Sequence, residues 1–194
     1  MAAHLTIPIA LTWGRIVAIP LIILLFYMPY HWSDQAAGIL FALAGITDSF
    51  DGYLARKWGQ TSRLGEFLDP VADKLIVATA LVLIVFAARD EPRWVAVLTV
   101  LSAAVIIGRE IAISALREWM AEIGARRKVA VSGLGKFKTI LQIVGLSMML
   151  FRWNLLGIPI YELGLALTVI AAVLTLWSMV QYLRAAWPEL TAGD

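Results

Sequence analysis

Apolar runs about as long as a bilayer is thick recur along this chain, each ended by a short polar stretch. Crossing a hydrocarbon core takes about 20 mostly apolar residues in a helix. The runs place spans near 8–28, 35–56, 69–88, 94–116, 136–152 and 160–183. Tyr27, Tyr30, Trp32, Trp94 and Trp153 fall at the ends of these runs, where interfacial aromatics belong. The pattern predicts an all-α, polytopic membrane protein with six transmembrane helices, forming a single domain over 1–194. The sixth run, rich in Ala, Leu and Val, reads as packing. No internal repeat or low-complexity tract interrupts the series.

Composition agrees with this class. The 194 residues are 61% hydrophobic and 15% charged, against roughly 25% charged in soluble chains. The absence of cysteine excludes disulfides and thiolate metal sites. His4 and His31 are too far apart in sequence to suggest a His-rich zinc site. The segment 1–11 has no basic n-region, and the run from Ile16 is followed by Pro and Tyr rather than a small-residue cleavage site. The first run is therefore read as a retained span.

The net charge of +2 conceals an uneven distribution. Arg56, Lys57 and Arg63 lie between spans two and three. Arg117, Arg126, Arg127, Lys128, Lys136 and Lys138 lie between spans four and five. The alternate connections hold only Arg89, Arg93 and Arg152. The excess of basic residues on one side predicts that both rich loops, and both termini, face the cytoplasm.

Four aspartates stand at the edges of apolar runs: Asp48, Asp51, Asp69 and Asp73. Ionisable groups in spans are costly and mark function by default. Asp48 and Asp51 fall about 60° apart on a helix, and Asp69 and Asp73 about 40° apart, so two helices can face two carboxylate pairs across a short loop. Four clustered anions need a counter-charge. Hard divalent cations such as Mg²⁺ or Mn²⁺ supply it through oxygen ligands, and a pair of them suits phosphoryl chemistry. Gly52 and Ala55 share the Asp48/Asp51 face and leave room for a ligand, or for a neighbouring helix. Arg56 suits a phosphate oxygen, or a topology anchor. Asp69 precedes Pro70, which reads as a helix start with Asp69 as either N-cap or metal ligand. Asp34, Asp90 and Glu91 fall in outer connections and read as solvated.

Asp48-Ser-Phe-Asp51-Gly52-Tyr-Leu-Ala55-Arg56, eight residues, then Gly65-Glu-Phe-Leu-Asp69-Pro-Val-Ala-Asp73 resembles the signature of the CDP-alcohol phosphotransferases, D-x-x-D-G-x-x-A-R-x8-G-x3-D-x3-D, at all its fixed positions. Gly108-Arg109-Glu110 through Arg117, Val129 through Gly135-Lys136-Phe-Lys138-Thr, Phe67 through Lys74, and Leu176-Trp-Ser-Met resemble the phosphatidylglycerophosphate synthase branch of that family. The likeness runs from about Ile7 to Leu183. Where relatives often carry Pro-Asn, this chain has Pro8-Ile9; Leu11, Thr12 and Arg15 keep the pattern.

The resemblance implies six transmembrane helices around a cavity open to the cytoplasm, in the cytoplasmic (inner) membrane. It assigns Asp48, Asp51 and Asp69 to metal, and Asp73 to metal and to general-base catalysis. Two divalent ions, Mg²⁺ or Mn²⁺, are expected. Gly52, Ala55, Arg56 and Gly65 would contact or make room for CDP, and Arg109, Arg117 and Lys136 would hold the acceptor's phosphate. Arg109 and Arg117, eight apart, lie near one helical face, whereas Glu110 should point about 100° away from Arg109. The implied reaction moves the phosphatidyl group of CDP-diacylglycerol to sn-glycerol 3-phosphate, giving phosphatidylglycerophosphate and CMP. Membrane lipids are the surroundings, a homodimer is an assembly the resemblance admits, and no nucleic-acid partner is expected. A sister enzyme could use inositol phosphate, serine or a phosphatidylglycerol instead. An ion transporter would spread its polar groups over several spans near the midplane, and a structural subunit would leave four costly aspartates without a purpose.

Overall fold

In a computed structural model, residues 7–58, 63–125, 134–155 and 157–191 are described, with side chains at 7–9, 48–58, 63–64, 66 and 134–136 left aside. These residues form six α-helices: α1 (Ile7–Tyr27), α2 (Ser33–Trp58), α3 (Arg63–Ala87), α4 (Arg93–Glu122), α5 (Leu134–Phe151) and α6 (Ile160–Leu190). A 3₁₀ turn, Ala88–Asp90, joins α3 to α4. Among the described residues there is no strand, only one isolated bridge between Leu155 and Ile158. Each helix coincides with one expected span, and the interfacial aromatics are exposed near helix ends.

Among the described residues, four segments are long and apolar enough to cross a membrane: Ala10–Tyr27, Phe67–Ala88, Arg93–Glu122 and Ile160–Leu190. The apolar part of α5, Phe137–Phe151, is shorter. The sequence of α2 carries Asp48, Asp51, Arg56 and Lys57 in its second half. At 1.5 Å per residue, the 30 residues of α4 and 31 of α6 span roughly 45 Å, more than the roughly 30 Å hydrocarbon core.

One expectation is corrected here. The helix start read at Asp69-Pro70 lies at Arg63, so Pro70 sits inside α3. Asp69 is therefore not an N-cap; its carboxylate engages α1 instead. The helix continues through Pro70, although proline cannot donate a bond back to the preceding turn.

Packing closes the helices into a ring. α1 packs on α2 and α3, α2 on α5, α5 on α6, α6 on α4, and α4 on α3. The α5–α6 contact is the most extensive. It is made close by paired glycines: a Cβ at Gly145 would lie 2.9 Å from the Gly164 carbonyl, and one at Gly164 would lie 2.8 Å from that of Gly145. Small residues let helix backbones approach where lipid gives no hydrophobic drive to associate. The core fills one end of the ring, with Ile22, Phe41, Leu81, Ile84, Ile106, Leu146 and Leu150 among its buried members. At the other end α4 finishes in a Schellman cap. Gly124 adopts φ 74°, and the Ala125 N–H donates to the Met120 carbonyl at 2.8 Å.

Candidate functional site

The end of the ring not filled by apolar core contains a cavity of about 280 Å³ lined by all six helices. Arg15 comes from α1, Ala44 and Gly45 from α2, Asp73 and Lys74 from α3, Arg109, Glu110 and Arg117 from α4, Lys138 and Gln142 from α5, and Ser178 and Tyr182 from α6. These residues lie in the first half of α1, α3 and α5, near the middle of α2, and in the second half of α4 and α6, which agrees with alternating helix directions around a polar end of the bundle.

The wall made by α1 and α3 is an ion-paired carboxylate cluster. Arg15, only 2% exposed, donates to Asp73 Oδ1 and lies 3.5 Å from Asp69 Oδ1. Thr12, one turn before Arg15, donates its hydroxyl to the same Asp69 oxygen. A buried guanidinium in a membrane protein demands such partners. Asp69 and Asp73 lie one turn apart on α3, so one cation spans both. Their side chains stay partly exposed, leaving oxygen atoms for a further ligand. Gly65, one turn before Asp69, is buried.

A second wall of the cavity is basic. Arg109 and Arg117, two turns apart on α4, both approach the ring of Tyr182 on α6, with guanidinium carbons 6.0 and 5.4 Å from its centroid. Arg117 also donates to the Tyr182 hydroxyl at 3.3 Å. The expected joint placement of the two arginines holds. Glu110 departs from expectation: it lines the cavity too, and its carboxylate accepts from Arg109 at 2.5 Å. Long side chains on adjacent residues can curl back to meet, so backbone angle alone does not separate them.

Asp73, Arg109 and Arg117 therefore share one cavity. The side chains of Asp48, Asp51, Gly52, Ala55, Arg56 and Lys136, and that of Ile9, lie outside the described residues. Reasoning from sequence missed the site positions of Lys138, Gln142 and Tyr182, and did not foresee Arg15 as the partner of the aspartates. Arg15 was legible as a charge inside an apolar run; the others carry no such signal.

The donor chemistry fits a divalent metal. Asp69 and Asp73 present hard carboxylate oxygens on one helix face. Among the described residues no group of three acidic, His or Cys side chains is gathered for a metal. Asp48 and Asp51 of the signature lie on α2.

A family model described as CDP-alcohol phosphatidyltransferase matches residues 5–177. Curated relatives named CDP-diacylglycerol–glycerol-3-phosphate 3-phosphatidyltransferase, from Escherichia coli strain K12 and from Shigella flexneri, are each 52% identical over 184 residues. That alignment covers 95% of this chain and 96% of theirs.

Proposed function

The chain belongs to the CDP-alcohol phosphatidyltransferase family, and from that membership we infer that it transfers the phosphatidyl group of CDP-diacylglycerol to sn-glycerol 3-phosphate, releasing CMP. The observation that carries the reading is one cavity holding the signature carboxylate Asp73 together with Arg109 and Arg117. A phosphorylated alcohol needs both a base for its hydroxyl and cations for its phosphate, and both stand in the same space.

Asp73 accepts the proton of the acceptor's primary hydroxyl. That oxygen forms a bond to the lipid-linked phosphorus, and the bond from this phosphorus to the CMP oxygen breaks with its electron pair leaving on CMP. Arg15 orients Asp73 and offsets its charge. Arg109 and Arg117, with Lys136, hold the acceptor's phosphate. Gly52, Ala55, Arg56 and Gly65 form the cytidine diphosphate side. Members of the family generally use a divalent metal. Two Mg²⁺ or Mn²⁺ ions held by Asp48, Asp51, Asp69 and Asp73 would neutralise charge on the diphosphate and on the departing CMP.

In this reading all six helices span the bacterial inner membrane, both termini are cytoplasmic, and the cavity opens to the cytoplasm. The protein is a single domain that can pair as a homodimer. The deciding experiment follows CMP release by purified protein given CDP-diacylglycerol, Mg²⁺ and a panel of acceptors. Glycerol 3-phosphate should be turned over at least about 100-fold more efficiently than serine or phosphatidylglycerol. A preference for inositol phosphate would move the chain to a sister activity.

A further inference from the structure

Two uncharged polar side chains line the cavity and are otherwise buried. Gln142 of α5 is 8% exposed and Ser178 of α6 is 5% exposed. They come from the two helices that share the most extensive contact in the molecule. Ser178 donates its hydroxyl to the Thr175 carbonyl on its own helix at 2.9 Å, which leaves its oxygen as an acceptor. Gln142 carries an amide with two donors and an acceptor. Phe41, Ile76, Val77 and Ile143 line the same cavity and offer no side-chain hydrogen bond.

Burying an amide inside a bundle of apolar helices is costly unless something completes its bonding. A ligand hydroxyl suits this pair, because it can accept from the Gln142 amide and donate to the Ser178 oxygen. Asp73 and the cationic side chains account for the two ends of glycerol 3-phosphate, its primary hydroxyl and its phosphate. The secondary hydroxyl, on the carbon between them, is given no partner by those groups. With both ends held, that carbon also becomes a test of handedness. In the enantiomer, sn-glycerol 1-phosphate, its hydroxyl and hydrogen exchange places, and a polar pair that meets the hydroxyl of one form meets the hydrogen of the other.

We propose that Gln142 and Ser178 form the subsite for the acceptor's secondary hydroxyl, and so make the cavity select sn-glycerol 3-phosphate over its enantiomer and over acceptors that lack this hydroxyl. The proposal rests on the reading of the chain as a transferase acting on glycerol 3-phosphate, and adds the groups that read the middle of that acceptor. A site that hydrogen-bonds a substrate hydroxyl rejects the analogue lacking it, because its own buried polar groups are then left unpaired.

The test uses the full-length protein purified in detergent with CDP-diacylglycerol and Mg²⁺, and follows CMP release with sn-glycerol 3-phosphate, sn-glycerol 1-phosphate and 3-hydroxypropyl phosphate. The last keeps the reacting hydroxyl and the phosphate but lacks the secondary hydroxyl. The wild type should prefer sn-glycerol 3-phosphate over each analogue by at least about 10-fold in kcat/KM. Gln142→Leu keeps most of the side chain's volume and removes its amide. It should bring both preferences to within about 3-fold, by loss with sn-glycerol 3-phosphate, while kcat/KM for 3-hydroxypropyl phosphate stays within about 3-fold of the wild type. A merely structural role would lower kcat/KM for all the acceptors together. Equal losses, or unchanged preferences, in a folded Gln142→Leu protein would overturn the proposal, as would a wild type that turns over all the acceptors alike. Should that variant fail to fold, Ser178→Ala carries the test, with the same directions expected and the same results overturning it. Absence of CMP release from the wild-type protein with sn-glycerol 3-phosphate would instead overturn the underlying reading.

Discussion

The two walls of the cavity are both charged, yet they are organised in opposite ways. On the α1–α3 wall, Asp69 and Asp73 are bridged by Arg15, and Thr12 adds a further bond to Asp69. That wall is preorganised by partners within the chain. On the α4–α5–α6 wall, Arg109 pairs with Glu110 and Arg117 reaches the Tyr182 hydroxyl, but Nζ of Lys138 has no hydrogen-bond partner among the described residues. Tyr182 offers mainly the face of its ring. Groups that do chemistry need fixed geometry before substrate arrives. Groups that bind a charged substrate gain most when the substrate completes their bonding. In the proposed function the first is the reacting wall and the second the recognising wall.

The strongest way to break this division is to disable the reacting wall and look for binding that survives. Asp73→Asn should lower kcat by about 10²–10⁴-fold, the usual contribution of a general base, and chelation by EDTA should abolish turnover of the wild type. KM for glycerol 3-phosphate should move little in Asp73→Asn, because its phosphate rests on the other wall. Near-normal turnover by this variant, or full activity in EDTA, would remove the catalytic assignment. Disabling the recognising wall should give the mirror image. Arg117→Ala should raise acceptor KM roughly 10- to 150-fold, with a much smaller effect on KM for CDP-diacylglycerol. Steady-state kinetics with each substrate varied in turn distinguishes the two patterns.

Arg15 sharpens the comparison because it belongs to the reacting wall without touching the recognising one. Arg15→Gln keeps a donor but loses the charge and the fork that spans Asp69 and Asp73. Repulsion between the two carboxylates then goes unopposed on the α1 side, and Asp73 loses its orientation. Small misplacements of a reacting group can cost up to about 100-fold; with a donor retained, a fall of about 10-fold in kcat is expected, with acceptor KM unchanged. The variant should also unfold several degrees lower on heating in detergent, since a buried guanidinium's bonds to carboxylates are replaced by weaker neutral ones. A changed acceptor KM with intact kcat would place Arg15 on the wrong wall.

Much of this arrangement was legible in the chain. Hydropathy located every helix because each is built on an apolar run, four of them long and apolar enough to cross a bilayer. The acidic wall was legible because carboxylates at span edges are expensive, and two pairs at helical spacing announce a shared purpose. Arg15 was the one basic residue within the first apolar run. The basic wall was harder to read. Lys138 sat in a segment whose other lysines and arginines explain topology equally well, and only burial distinguishes it. Tyr182 lies in the second half of α6, just outside the quoted Leu176-Trp-Ser-Met motif, and tyrosine near a span end ordinarily signals an interface. Glu110 was misread because a side chain several bonds long need not follow the direction of its Cβ. The Asp69-Pro70 start failed because the helix begins at Arg63 and accommodates Pro70 inside it, where proline's preference for a first turn is not followed.

Tyr182 gives the smallest and most discriminating prediction. It is buried, and both arginines of the recognising wall approach its ring while Arg117 also reaches its hydroxyl. If Tyr182 only fills space, Tyr182→Phe should be silent, because the ring and its packing against Ile113, Leu116 and Met120 are retained. If it positions the arginines, the lost hydroxyl should loosen Arg117. At 3.3 Å that bond lies at the long end of the range, so a loss of about 0.5–1 kcal/mol is expected, or roughly a 2- to 5-fold rise in KM for glycerol 3-phosphate. Tyr182→Leu should cost more, because the ring face that attracts both guanidiniums disappears as well. The order wild type, Tyr182→Phe, Tyr182→Leu in acceptor KM, with kcat and KM for CDP-diacylglycerol nearly constant, marks a positioning role. Equal loss of kcat in both variants would tie Tyr182 to the reacting wall instead, and the separation of the two walls would fail at α6.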